Sequence, residues 1–461
     1  MKTTTRTYIL WFLLLCVQFL TAQKGVEALF IKEGTLLKCE NNKIPADGRI
    51  ELPRTVKMIG AEAFKDCNRL KSIDIGGGVT AIDERAFLGC AALEGVEMLP
   101  NSVQQIGAQA FAYCSKLQSV TLPNSVTEIG EEAFRGCFLL QQVDIPESVT
   151  VLGGRVFLDN TNLKEVNFIT QNLRVIPSGL FYQCKELKKV NLPASVRHLK
   201  SSAFAYCEAL EEILLPEALE VVGDDCFEYC KRLKAIDIPD SVIYIGSSAF
   251  HSCTGLQQAK LPYGLRHILN DTFLDCTALQ AIIIPDTVEK INMHAFRNCT
   301  SLAAVQFPLA LTDIYYGAFY GCKNLQEITL PDEVKYIGVF AFGECTSLQA
   351  IELPRAVIEV AAKLFYNCSS LKEVKLSKFT TSIGVQTFYG CSSLAELRLP
   401  ATVEKIDLAA FENSGLTELH CKAVTPPEVN RSLGYKGKVV VPYRSVEAYK
   451  QAVGWQDCAV E

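Results

Sequence analysis

A phenylalanine returns at an almost fixed interval through most of this chain. It stands at Phe64, Phe87, Phe111, Phe134, Phe157, Phe181, Phe204, Phe227, Phe250, Phe273, Phe296, Phe319, Phe342, Phe365, Phe388 and Phe411. The step is 23 residues, with 24 only at Phe87 to Phe111 and Phe157 to Phe181. Sixteen copies in register fill about four-fifths of the 461 residues. A period of this size is the mark of a stacked array, because one unit cannot bury its apolar face without its neighbours. A single compact domain is thereby disfavoured at this length.

Each column of the repeat has a physical meaning. In "LQSVTLP", Val120 and Leu122 alternate with polar residues, as in a short strand with one buried face, and Pro123 ends it because it cannot donate to the next ladder bond. "SVTEIG" then sends Val126 and Ile129 inward. The position four before each Phe is often Gly, Asp or Asn, as at Gly60, Asp83, Gly107, Gly130, Gly223, Asn292 and Asp407. Pro177, Leu269 and Tyr315 share that column, and proline cannot take positive φ. The column therefore reads as a helix cap, supported by acids in the next turn such as Glu131 and Glu132, and "EEAFRGC" as a short helical turn. The expected fold is a right-handed α/β solenoid with a parallel sheet on one side.

The cysteines follow the same period. Fourteen of the 19 lie three after a marker Phe, from Cys67 to Cys391, and Asn160 and Ser414 take the remaining two places. Stacked neighbours project side by side, which disfavours a disulfide ladder. No CxxC pair or histidine column accompanies them, which disfavours zinc. They read as inert buried thiols, and so do Cys226 and Cys230 in "CFEYC". Cys421 and Cys458 lie outside the column, where an oxidising compartment would join them.

Nothing in the sequence asks for catalysis. The five histidines, His198, His251, His267, His294 and His420, fall in different columns. No HExxH, GxSxG, phosphate loop or dinucleotide turn occurs. The middle strand positions, which should face solvent, run Asp74, Thr121, Asp144, Asn167, Asn191, Leu214, Asp237, Lys260, Ile283 and on to His420, without an aromatic stripe or a paired-acid cluster. No cofactor and no metal is expected.

Tyrosine offers the functional hint. Tyr182, Tyr320, Tyr366 and Tyr389 follow the marker Phe directly, and Tyr315 and Tyr316 add to the same region. Tyrosine is favoured at protein interfaces; the competing reading is that these rings merely cover the core. The formal charge of −6 becomes −8 once Lys2 and Arg6 are removed, which argues against nucleic acid as a partner. Those two residues and the apolar "YILWFLLLCVQFL" read as an export signal cut at about Ala22 to Gln23. The stretch is short for a membrane span, and Leu15 before Cys16 argues against lipid attachment.

The phrase "LPNSVTEIGEEAFRGCFLL" closely resembles the BspA-type leucine-rich repeat family, from about Leu52 to Leu419. The ending "VVVPYRSVEAYKQAVGWQD" is similar to the closing segment of such proteins in Bacteroidetes-like bacteria. The resemblance implies surface or exported proteins that bind host matrix proteins or mediate adhesion between cells, with no fixed ligand-contact motif. Immunoglobulin-like modules and a C-terminal anchor, found in larger members, are missing from this sequence. The expected division is a signal peptide over 1–22, an N-terminal cap over 23–51, the solenoid over 52–421 and a C-terminal cap segment over 422–461. The expected function is non-catalytic binding of a protein ligand, host matrix or another cell's surface, by a monomer without a membrane span, outside the cell or at its surface, with the periplasm as an alternative. Two other readings stay open: a structural scaffold with no host partner, and a solenoid-based polysaccharide hydrolase.

Overall fold

The computed structural model describes residues 24–97 and 99–461. The expected signal segment and Cys16 lie outside the described residues. The described residues form two compact units, one running to Leu173 and taking in Gly179–Pro193, the other Arg174–Ser178 with Ala194–Glu461. Each is a stack of solenoid coils.

One coil of the first unit shows the plan. The strand Gln142–Ile145 points Val143 and Ile145 inward and leaves Gln142 and Asp144 exposed. It pairs in parallel with Glu165–Phe168 of the following coil. A turn then follows, in which Val149 N–H donates to Pro146 O at 3.2 Å. Ser148 Oγ donates at 2.6 Å to Val126 O of the preceding coil, which gives the recurrent "SV" pair its purpose. Val151–Leu152 forms a second short strand, paired in parallel with Glu128–Ile129. The expected parallel sheets are present, and the middle strand positions do face solvent; Leu214 is 77 % and Ile283 is 66 % exposed.

The segment expected to be a helical turn is built differently. It consists of overlapping reverse turns, and the one α-helix among the described residues is Val446–Gln451. Residues two before and two after each marker Phe have left-handed φ, as at Glu132 (55°) and Gly136 (66°), or Asp271 (57°) and Asp275 (59°). Alternating the backbone hand turns every second N–H toward the next coil. Asp271, Phe273 and Asp275 donate to the carbonyls of Met293, Ala295 and Arg297 at 3.0, 2.8 and 2.9 Å. Left-handed φ in non-glycine residues costs on the order of 1 kcal/mol each, which these inter-coil bonds offset. Gly, Asn and Asp before the cysteine, as in "RGC" and "RNC", are the residues that tolerate this conformation.

The column four before Phe is neither left-handed nor a cap. Gly130 has ordinary φ, but a Cβ there would stand 2.5 Å from Ala108 N and 2.7 Å from Gly107 C. Glycine is used because adjacent coils touch backbone to backbone.

The core is a pair of ladders. Marker rings stack nearly parallel, Phe64 on Phe87 at 4.8 Å in the first unit, and Phe250 on Phe273 at 5.3 Å in the second. Beside them every described column cysteine is buried and free. The thiols are more than small apolar fillers. Cys90 Sγ donates to Phe64 O at 2.9 Å, Cys299 to Phe273 O at 3.2 Å and Cys391 to Phe365 O at 3.1 Å. The same carbonyl accepts the N–H three residues on, as Phe273 O does from Cys276 at 3.2 Å. Cysteine thus fits a site that wants a small apolar group and one weak donor.

In the C-terminal segment, Trp455 and Tyr449 are fully buried against one another, with centroids 4.9 Å apart. Trp455 Nε1 donates to Pro427 O at 3.0 Å, and Tyr449 Oη to Ala423 O at 2.8 Å.

A candidate recognition strip on the turn face

The turn row of the second unit carries a continuous run of half-exposed rings. Tyr366 and Tyr389, one coil apart in the same column, stack at 4.9 Å and 7°. Tyr320 stands in that column two coils before Tyr366, and Gly343 occupies the place between them. A Cβ on Gly343 would lie 3.0 Å from both Tyr320 Cδ2 and Phe340 Cδ1, so the missing side chain is the space into which Phe340 folds. Phe340 meets Tyr320 edge-on at 5.5 Å and Tyr366 at 5.7 Å, and closes the gap. It does so from a left-handed backbone with φ 59°, a costly conformation for a bulky residue. Tyr316, 39 % exposed, adds its ring to Phe340 at 6.1 Å and to His294 at 5.1 Å.

Two cations sit on the strip. The Arg297 guanidinium lies 5.0 Å from the Tyr320 centroid, and Lys363 Nζ lies 5.0 Å from that of Phe340 and 5.8 Å from that of Tyr366. Contacts of this kind contribute about 0.5–1 kcal/mol at exposed sites. Burial, followed by the Glu344 carboxylate, pushes the Tyr320 phenol up, so it remains a neutral hydroxyl. The result is a partly dry surface of rigid rings with polar tips, suited to pressing on another protein.

Of the six tyrosines singled out in the sequence, the structure brings Tyr316, Tyr320, Tyr366 and Tyr389 together. Tyr315 instead meets Tyr336 at 5.5 Å and lines an open groove of about 370 Å³ with His267, Lys290 and Met293. Tyr182 is half-buried in the first unit and is no part of the strip. Phe340, His294, Arg297 and Lys363 were not legible as members. The signal was the paired departure in "VFAFGEC", where one Phe is gained two before the marker and the ring directly after it is lost.

A smaller cluster lies earlier in the same unit. Tyr206 stacks on Tyr229 at 4.7 Å, and His251 meets Tyr229 edge-on at 5.4 Å. His251 Nδ1 is 3.0 Å from Glu228 Oε1. That hydrogen bond raises the imidazole above its usual 6.5, against burial, which lowers it. A folded-state value above the unfolded one means the link stabilises fully below pH ~6.5 and is lost as pH rises through the folded value. An NMR titration should therefore place the His251 midpoint above 6.5, and Glu228→Gln should bring it down. An unchanged midpoint in that variant would remove the role given to Glu228.

Cys421 and Cys458 are not brought together. The strand Glu418–Cys421 pairs with Lys438–Val440, which pairs with Ala459–Val460. Cys421 therefore ends its strand, whereas Cys458 precedes the start of another two places across. Both thiols are free: Cys421 Sγ lies 3.2 Å from Tyr449 Oη, and Cys458 Sγ donates to Tyr435 O at 3.4 Å. Among the described residues no group of three or more His, Cys, Asp or Glu is placed to hold a metal ion, and no helix is long and apolar enough to cross a membrane.

A family profile of the BspA type leucine rich repeat region matches residues 48–157, 97–211, 198–326 and 312–426. Similar solved structures include a leucine-rich repeat protein from Bacteroides ovatus ATCC 8483, 25 % identical over 94 % of this chain and 96 % of that one, with a TM-score of 0.45. Another is from Eubacterium ventriosum ATCC 27560, at 23 % identity, 65 % and 91 % coverage and a TM-score of 0.46. A leucine rich cell surface protein from Faecalibacterium prausnitzii A2-165 is 26 % identical, with 74 % and 90 % coverage and a TM-score of 0.42. A search of curated proteins found no match.

Proposed function

The chain belongs to the BspA-type leucine-rich repeat family, and from that premise we propose that it is an exported, non-catalytic recognition protein whose aromatic strip holds a protein ligand. The strip carries this reading: four neighbouring rings, Tyr320, Phe340, Tyr366 and Tyr389, are each left half-exposed where the repeat elsewhere accepts Leu, Ala or Glu. Tyrosine gives large contact area at small entropic cost, which is why aromatic clusters dominate binding energy at interfaces. Export rests on the basic start and apolar run within residues 1–22. A position at the cell surface, and a host matrix protein or another cell's surface protein as ligand, follow from the family resemblance and belong to the same proposal.

The test changes Tyr320, Tyr366 and Tyr389 together to Ser. Binding of a captured protein ligand should weaken at least ~10-fold, since two or three hot-spot rings each carry about 1–2 kcal/mol. Circular dichroism should stay unchanged, because none of the three is a core residue. Unaltered affinity in the folded triple variant would sink the reading.

A further inference from the structure

The sheet face of the second unit has one place where unneutralised cations gather round an apolar floor. The strand Glu373–Lys375 ends one three-stranded sheet, and Glu396–Leu399 begins another, so the parallel ladder is interrupted between these adjoining coils. A groove of about 610 Å³ lies at that break. Lys372, Lys375, Lys378, Arg398 and Lys422 line it, against only Glu373 and Glu396. Lys375 is shared between Glu352 at 3.7 Å and Glu373 at 3.8 Å, and Arg398 is held by Glu396. Lys372, Lys378 and Lys422 are exposed and have no carboxylate within salt-bridge reach among the described residues. Lys378 rests over the half-exposed Phe379, 5.0 Å from its centroid. On a chain of net charge −6, this local excess of positive charge is a departure from the rest of the surface.

The floor says which anion would fit. The half-exposed Leu376 and Pro400 form it. A sulfated sugar would draw chiefly on the rim cations and present little apolar surface to such a floor. An extended peptide puts successive side chains on opposite faces, apolar ones down and carboxylates out to the rim. Lys372 and Lys378, six residues apart, can be separated by at most ~20 Å of extended chain, the span of a strand of about six residues. We infer that this groove binds a short, extended, acidic segment of a partner protein, with apolar side chains on Leu376 and Pro400 and carboxylates at Lys372, Lys378 and Lys422.

The inference rests on the protein-recognition reading and gives that partner a chemistry. Electrostatic attraction of this kind raises association rates and discriminates against basic partners. It also makes affinity fall with salt.

The test uses the full exported chain and a fluorescein-labelled decapeptide of alternating glutamate and valine, followed by fluorescence anisotropy. Saturable binding is expected, weakened at least tenfold by combining Lys372→Glu, Lys378→Glu and Lys422→Glu, and by replacing the peptide's glutamates with glutamine. Lys188→Glu, an exposed charge change in the first unit, should leave it unaltered. All three groove lysines are exposed, so the variant is expected to fold, and its thermal unfolding checks that. Equal binding by the triple variant, or equal binding of the glutamine peptide, overturns the inference. So does tight binding of dextran sulfate without binding of the peptide, which would make the groove a site for sulfated glycans. If the peptide fails while a protein ligand is still held through Tyr320, Tyr366 and Tyr389, this inference falls and the protein-recognition reading stands; loss of both overturns the two together.

Discussion

Replacing Phe273 by Ala is expected to cost about 3–5 kcal/mol. The ring is fully buried and stacked at 5.3 Å on Phe250 and 5.4 Å on Phe296. Its removal leaves a void that two neighbouring rings cannot both fill, because each is also held by the next coil. Stability in a coil stack is close to a sum of intrinsic and nearest-neighbour terms, so the loss should fall on the unfolding transition of the unit that contains the residue. Tyr389→Ala, which removes a half-exposed ring from the outside of the same unit, should cost less than half as much. Urea unfolding followed by circular dichroism gives both numbers. A cost below ~1 kcal/mol for Phe273→Ala would mean that the repeated ring is a spacer rather than the core.

The thiols supply the second large effect. In the chain lacking residues 1–22, a thiol reagent such as Ellman's should label Cys458 in the native state and leave the buried column untouched. The column labels fully once the protein is denatured. Cys458 is half-exposed, its thiol pushed up to about 11 by burial and then by Asp457. Cys345 and Cys391 are fully buried and pushed up to about 12 by the same desolvation, opposed by the backbone of the cysteine one coil before, Cys322 and Cys368 respectively. At pH 8 a thiol of pKa about 12 is ionised only to ~1 part in 10⁴ against roughly a quarter for a free thiol, and access is blocked as well. Suppression of the rate by at least ~10³ follows. Rapid native labelling of several column cysteines would contradict the ladder. A disulfide joining Cys421 to Cys458 would show instead as two missing thiols after denaturation without reductant.

What the sequence made legible was the part dictated by burial. Alternation at Val143 and Ile145, the marker phenylalanines and the apolar setting of the cysteines all follow from side chains that must leave water, and burial leaves a periodic trace. What stayed hidden depends on backbone hand and on neighbours. The Gly at 130 was readable as a special position, but its reason is the approach of Ala108 and Gly107 from the preceding coil, which no single coil reveals. The left-handed pair flanking each Phe was written in the Gly, Asn and Asp before the cysteine, a signal outweighed by the helix-like acids beside it. The thiol as donor to the Phe carbonyl of another coil could not be read from residue type, since alanine or valine would give the same apolar pattern.

The candidate site divides the same way. Tyr320, Tyr366 and Tyr389 stood out because they share one column, and stacking carried them to one surface. Phe340 joined from a different column through the space left at Gly343. Tyr315 left because adjacent residues point apart here, Tyr315 toward Tyr336 and Tyr316 toward Phe340. The basic groove near Lys378 depends on where strand pairing stops, which no composition records.

The central claim is that this chain recognises another protein through its turn-face aromatics. It is tested most directly by exposing the purified chain from about Gln23 to Glu461, beside its Tyr320, Tyr366 and Tyr389 to Ser variant, to an array of matrix proteins and glycans at moderate salt. The account predicts saturable capture by at least one protein, lost in the variant. Capture only by glycans, or capture of a protein that the variant retains in full, would contradict it.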